Sequence, residues 1–222
     1  MRMGDGLAEK IKKEWPDYKI DVVIPVPDTS RTAALELAIK LKVRYREGFI
    51  KNRYIGRTFI MPWQQERQKS VRHKLNPLEP EFKDKRVMIV DDSIVRGTTS
   101  KQIVQMARDA GAKEVFMVSA SPPICYPNIY GIDMPVPGEL IAYNRSTEEI
   151  CRWIGADRLF YQDLEGLIKA VRKGNKNLNF DCSMFNGDYA VEPEAGYLDQ
   201  LRLQRSEESK QAKARETNLH VI

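Results

Sequence analysis

Residues 87 to 104, VMIVDDSIVRGTTSKQIV, put two adjacent carboxylates, Asp91 and Asp92, at the end of an apolar run and follow them with a short hydroxyl-rich loop. The loop passes through Ser93, Ile94, Val95, Arg96, Gly97, Thr98 and Thr99 into a helical pattern. N–H groups at a helix start have no carbonyl one turn back and carry partial positive charge, so such a start receives an anion. Gly97 lets the backbone approach a ligand closely, and Thr98, Thr99 and Ser100 add hydroxyl donors. Two acids beside a phosphate cradle are the wrong charge for a bare phosphate. They suit a ligand whose phosphate sits next to vicinal sugar hydroxyls, which donate to carboxylates. Neither GxxxxGK[ST] nor GxGxxG is present, which excludes the P-loop and the dinucleotide fingerprint. A helix N-cap with spare acids is the competing reading.

The elements around this loop alternate. GDGLAEKIKKEW reads as an amphipathic helix, IDVVIPV (residues 20 to 26) as a strand, and PDTS as a turn and N-cap. From Thr32 to Leu41 the spacing predicts a helix with Ala34, Leu35, Ala38 and Leu41 on one face. Val43 to Ile50 reads as a second strand. RVMIV, a helix from Thr98 to Ala110 closed by Gly111, and the strand EVFMVSA come next. A helix from Thr147 to Ile154, a short strand RLFYQ and a helix LEGLIKAVRK complete the pattern. Apolar strands without polar alternation, separated by helices, predict an α/β fold with a mostly parallel central sheet and helices on both faces. Ligands of such sheets sit beyond the carboxyl ends of the strands, where Asp91 and Asp92 fall.

At 42% hydrophobic and 30% charged, the 222 residues are of globular composition, and no apolar run approaches the roughly 20 residues that span a bilayer. The N-terminus has no apolar signal core, and Cys125, Cys151 and Cys182 are scattered, as in a reducing compartment; cytoplasm is the expected location. The net charge of +5 is unevenly spread. Lys51 to Lys74 holds seven Lys or Arg against the single acid Glu66, a solvated basic loop or a contact for a phosphate-rich ligand. Ser206 to Asn218 is polar and reads as a solvated helix or tail.

VDDSIVRGTTS resembles the motif that binds 5-phosphoribosyl 1-pyrophosphate (PRPP) in type I phosphoribosyltransferases. With VVIPVPDTS, GFIKNRYIGRTFIMP, YGIDMP and the FNGDY block, the chain up to about Asp199 is similar to the synthase domain of the amidophosphoribosyltransferase family. The resemblance implies a type I phosphoribosyltransferase fold over residues 1–199, a flexible lid loop at about 51–74, and a polar tail at 200–222. It implies that Asp91 and Asp92 meet the ribose hydroxyls, in part through Mg²⁺, and that Ser93 to Thr99 hold the 5′-phosphate. Asp28, Thr29 and Ser30 fall where the family's pyrophosphate loop lies, and Thr29 with Asp91 and Asp92 forms the metal-associated set. In the lid, Lys51, Arg53, Tyr54 and Arg57 are the candidates to meet substrate, with Lys51 and Tyr54 joining the two aspartates as catalytic residues; His73 reads as a bystander.

The implied reaction forms 5-phosphoribosylamine and pyrophosphate from PRPP and ammonia, the first step of de novo purine synthesis. Purine nucleotides such as AMP and GMP inhibit the family, and its members form homo-oligomers. Complete members carry a glutaminase domain with an N-terminal nucleophilic cysteine. This chain begins Met1-Arg2, so the expectation is an ammonia-dependent synthase portion, without an iron–sulfur cluster. YGIDMP, with Asp133, and FDCSMFNG are given no catalytic role; the latter reads as packing against the sheet. The alternatives are another type I phosphoribosyltransferase or a PRPP-binding regulator. No membrane partner is expected, and with no nucleic-acid-reading module evident, no nucleic-acid partner either.

Overall fold

The computed structural model describes residues 1–52, 75–132, 134–172, 174–175, 177–194 and 196–205. In chain order the strands are β1 (Val22–Pro25), β2 (Arg44–Tyr45), β3 (Phe49–Lys51), β4 (Leu75–Pro77), β5 (Arg86–Asp91), β6 (Glu114–Ser119) and β7 (Arg158–Tyr161). The helices are α1 (Arg2–Glu14), α2 (Arg31–Leu41), α3 (Glu79–Phe82), α4 (Thr98–Asp109), α5 (Thr147–Ile154), α6 (Leu164–Arg172), α7 (Ser183–Asn186) and α8 (Tyr197–Arg205), with a 3₁₀ turn at Pro137–Glu139. Five strands form one sheet in the order β2-β1-β5-β6-β7, with every neighbouring pair parallel. β3 and β4 form a separate antiparallel pair.

Parallel strands joined by helices bury both faces, and the side chains divide accordingly. Val22, Ile24, Val87, Ile89, Val115, Met117 and Leu159 pack on one side with Ile103, Ala107, Ile150 and Ile154 of α4 and α5. Their alternates Val23, Met88, Val90, Phe116, Val118 and Phe160 pack on the other with Leu7, Ile11, Ala34, Leu37 and Leu41 of α1 and α2. That double burial is why the strands read as continuous apolar runs. Each such Val, Leu or Ile is stabilised by about 1.5–3 kcal/mol relative to exposure. Among the described residues no helix is long and apolar enough to cross a membrane.

Several details depart from the sequence reading. In α2 the buried face is Ala33, Ala34, Leu37, Ala38 and Leu41, and Leu35 points outward with 40% exposure. The stretch read as one strand over Val43 to Ile50 is two strands serving different sheets. Gly48 separates them: a Cβ there would stand 2.6 Å from Ile24 Cδ1 and 3.0 Å from Phe82 Cε2. The backbone can press against the core at that point only without a side chain, and the chain leaves the main sheet there. FDCSMFNG forms α7 and packs on the connection after β6 rather than on the sheet: Met184 O accepts from Cys125 N at 2.9 Å and from Tyr126 N at 3.1 Å. α8 runs across the boundary expected near Asp199. Ser206 to Asn218 lies outside the described residues.

The amino end of the central strands is closed by charge. Asp21 accepts from Arg86 Nε at 3.0 Å, Arg86 Nη2 at 2.9 Å and the Arg86 backbone N–H at 2.8 Å. This guanidinium holds the Asp21 carboxyl down at about 2. The opposite, carboxyl-end rim is built on different electrostatics.

Candidate functional site

β1 and β5 lie side by side, with Pro25 paired to Val90, so the loops that follow them emerge at the same rim. There Thr29 Oγ1 donates to Asp92 Oδ2 at 2.6 Å, joining residues 63 positions apart in the chain. Ser93 Oγ donates to the other oxygen of Asp92 at 3.0 Å. Asp91, the last residue of β5, accepts from the Asp92 N–H at 2.9 Å. Lys51, at the end of β3, donates to Asp28 Oδ2 at 2.7 Å, and Arg31 stands 3.4 Å from Asp28 Oδ1. The structure therefore brings Asp28, Thr29, Lys51, Asp91, Asp92 and Ser93 to one place. Ser30 is buried and its hydroxyl donates to Val26 O, so its side chain shapes the turn.

The two aspartates differ in setting. Asp91 is 8% exposed, and burial first, then the Asp92 charge beside it, push its carboxyl up to about 7. Among the described residues no lysine or arginine forms an ion pair with either carboxylate. Paired acids with a neighbouring hydroxyl, lacking the cation that Asp21 has, are a hard-oxygen set suited to Mg²⁺, which keeps waters and shares substrate oxygens. Among the described residues no group of three or more His, Cys, Asp or Glu is arranged to hold an ion without such help.

Behind the acids, the cradle presents backbone rather than side chains. Ile94 is 1% exposed in the core, and Val95 packs on the Ile124, Met134 and Leu140 cluster. Arg96 Nε donates to Glu139 Oε2 at 2.9 Å. Gly97, at φ +75°, is the N-cap of α4, and no side chain caps that helix. α5 is the contrast: Ser146 and Glu149 form a complete capping box at its start. An uncapped first turn behind Thr98 and Thr99 leaves amide donors for an incoming anion. Arg53, Tyr54, Arg57, His73 and Asp133 lie outside the described residues.

Glu139, Ile141 and Arg31 at this site are absent from the sequence reading. Glu139 sits in a Pro-Gly turn 43 residues from its partner Arg96, and nothing local marks it. A separate cleft of about 1090 Å³ runs along β7, lined by Lys10, Cys125, Cys151, Tyr161 and others. The rim residues named above do not line it.

A parallel sheet with an acid pair and an amide cradle at its carboxyl rim is the arrangement of type I phosphoribosyltransferases. The chain belongs to the phosphoribosyl transferase domain family, whose sequence model matches residues 2–134. Its curated relatives are more particular. It is 60% identical to the amidophosphoribosyltransferase of Pseudomonas aeruginosa over 95% of this chain and 42% of that protein. It is 56% identical to the amidophosphoribosyltransferase of Saccharomyces cerevisiae over 92% of this chain and 40% of that one. The solved glutamine PRPP amidotransferase from B. subtilis, complexed with ADP and GMP, superposes with a TM-score of 0.73 at 43% identity, covering 90% of this chain and 44% of that chain. The 222 residues thus span less than half the length of these proteins.

Proposed function

We propose that this chain binds PRPP at the rim and transfers its phosphoribosyl group to ammonia, forming 5-phosphoribosylamine and pyrophosphate in purine synthesis. The observation that carries this reading is the Thr29–Asp92 hydrogen bond of 2.6 Å, which sets the PDTS loop against the acid pair and its cradle. One sugar phosphate is then gripped at both ends. Asp91 and Asp92 accept from the ribose hydroxyls, the amides of Ser93 to Thr99 receive the 5′-phosphate, and the Asp28 to Ser30 loop borders the pyrophosphate. Lys51, held at 2.7 Å by Asp28 beside that loop, would meet the negative charge that grows on the leaving group. Mg²⁺ bound by Asp91, Asp92 and Thr29 would neutralise the pyrophosphate oxygens.

Departure of pyrophosphate leaves an oxocarbenium-like carbon that water would capture, so the chain must exclude solvent while admitting ammonia. By resemblance Arg53, Tyr54 and Arg57 serve that closure, with Lys51 and Tyr54 counted among the catalytic residues. Ammonia is already a nucleophile, so positioning and electrostatics dominate over acid–base work. By resemblance, a glutaminase domain of the complete enzyme supplies the ammonia; ADP and GMP bound to the B. subtilis enzyme support purine nucleotides, AMP and GMP among them, as inhibitors here. A cytoplasmic homo-oligomer completes the reading.

The direct test is pyrophosphate release from PRPP with Mg²⁺, comparing ammonium with glutamine. Turnover with ammonium is expected, and its absence at millimolar PRPP refutes the reading. Thr29→Val keeps the shape of the side chain but removes the donor to Asp92. It is expected to lower kcat/KM for PRPP about tenfold, the effect of one lost charge-assisted hydrogen bond. An unchanged kcat/KM would detach the PDTS loop from the acid pair.

A further inference from the structure

Three consecutive cradle residues are held by one short segment on the far side of the loop. Ile141 N donates to Val95 O at 2.9 Å. Arg96 meets Glu139 twice, with Nε 2.9 Å and Nη2 2.8 Å from Oε2. Gly97 lies so close to Ile141 that a Cβ would stand 2.2 Å from its Cδ1. The clamp has a rigid backing: Leu140, between its two contact residues, is fully buried with Ile124 and Met134, and Met184 and Phe185 of α7 pack on that cluster. The side chains of Arg96 and Glu139 are only 24% and 21% exposed, so water competes weakly for either.

From these contacts we infer that Glu139 is a positioning residue for phosphate binding: through Arg96 it fixes the amides of residues 93–99 in the anion-receiving arrangement. The inference rests on the PRPP reading above. Its physical content is specific. With its guanidinium engaged by Glu139, Arg96 serves the ligand through its backbone, and the anion is met by amides and hydroxyls. The 5′-phosphate takes no part in the bond that breaks, so loosening its cradle removes binding that substrate and transition state share. Such a loss raises KM and leaves kcat in place. A residue acting on general stability would not separate the two constants.

The experiment compares Glu139→Ala and Glu139→Gln with the wild-type chain in ammonium-driven pyrophosphate release, and measures ribose 5-phosphate binding by calorimetry. Glu139→Ala is expected to raise both the KM for PRPP and the Kd for ribose 5-phosphate about tenfold, with kcat held within about twofold. Glu139→Gln, which keeps an acceptor but loses the charge, should raise both about threefold. If the alanine variant does not fold, judged by its thermal melt, the glutamine variant decides. Unchanged or tighter binding in a folded variant overturns the inference, because Glu139 would then be neutral or a competitor for Arg96. A fall in kcat at constant KM overturns it as well. Should the wild-type chain bind ribose 5-phosphate yet release no pyrophosphate, the function fails while the binding constants still judge Glu139. Absence of ribose 5-phosphate binding overturns both.

Discussion

Asp91→Asn is expected to cut ammonium-dependent turnover by roughly 100-fold or more, the scale of losing a metal- or substrate-contacting carboxylate. The same substitution is expected to make the metal-free protein more stable. Asp91 sits at 8% exposure beside Asp92, and that setting raises its carboxyl from 3.8 to about 7. The sign follows from proton counting. Between pH 4 and 7 the unfolded chain has ionised this group while the folded chain keeps it protonated, so wild-type stability falls as pH rises through that window. Above pH 7 both states are ionised and the penalty is constant, on the order of 4 kcal/mol, since the rise from 3.8 to about 7 is roughly three tenfold changes in an ionisation constant at about 1.4 kcal/mol each. Asn carries no charge at any pH, so its advantage is absent near pH 4, grows toward pH 7 and then levels off. Urea unfolding in chelator at pH 5 and pH 8 measures it. Equal stability of the two proteins at pH 8 would mean that Asp91 has its charge met in the free protein.

The contrast with Asp21 shows what was legible in the sequence and what was not. Both acids flank strands of the sheet, and composition does not separate them. Asp91 and Asp92 stand out because they precede a hydroxyl-rich loop that opens a helix, a pattern carried within a dozen consecutive residues. Asp21 becomes a structural ion pair only through Arg86, 65 positions away. The mostly parallel sheet with helices on both faces was within reach for a similar reason: burial on both faces leaves unbroken apolar runs that a reading of the chain can find, whereas the strand order is not written in them. What escaped depends on a single distant contact. Gly48 divides one apparent strand because Ile24 and Phe82 press on it. Leu35 turns outward because α2 meets α1 and the sheet on the adjacent face. Arg96 falls in the loop expected to hold the phosphate, and nothing local marks Glu139, 43 positions on, as its side-chain partner. Local pattern reports burial and turns well, and carries no record of which far residue completes a charge.

Gly97→Ala is the second large effect, and its cost has two separable parts. At φ +75° a β-carbon is strained by about 1–2 kcal/mol whatever surrounds it. Here it would also stand 2.2 Å from Ile141 Cδ1 and 2.9 Å from Trp153 Cζ3, so the loop or the clamp must move. Overpacking of that kind adds about 1–3 kcal/mol. Gly155 provides the control: its φ is +78°, and a Cβ there meets nothing within 4 Å. Gly155→Ala is therefore expected to lose about 1–2 kcal/mol with PRPP turnover unchanged. Gly97→Ala should lose about 2–5 kcal/mol and drop kcat/KM roughly 100-fold, because a displaced loop no longer aims its amides. Adding Ile141→Val removes Cδ1 and should restore part of both losses, leaving the backbone strain. Urea unfolding and initial rates on the four proteins separate the parts. If Gly97→Ala behaves like Gly155→Ala, the loop yields without consequence, and the amide cradle cannot be what holds the phosphate.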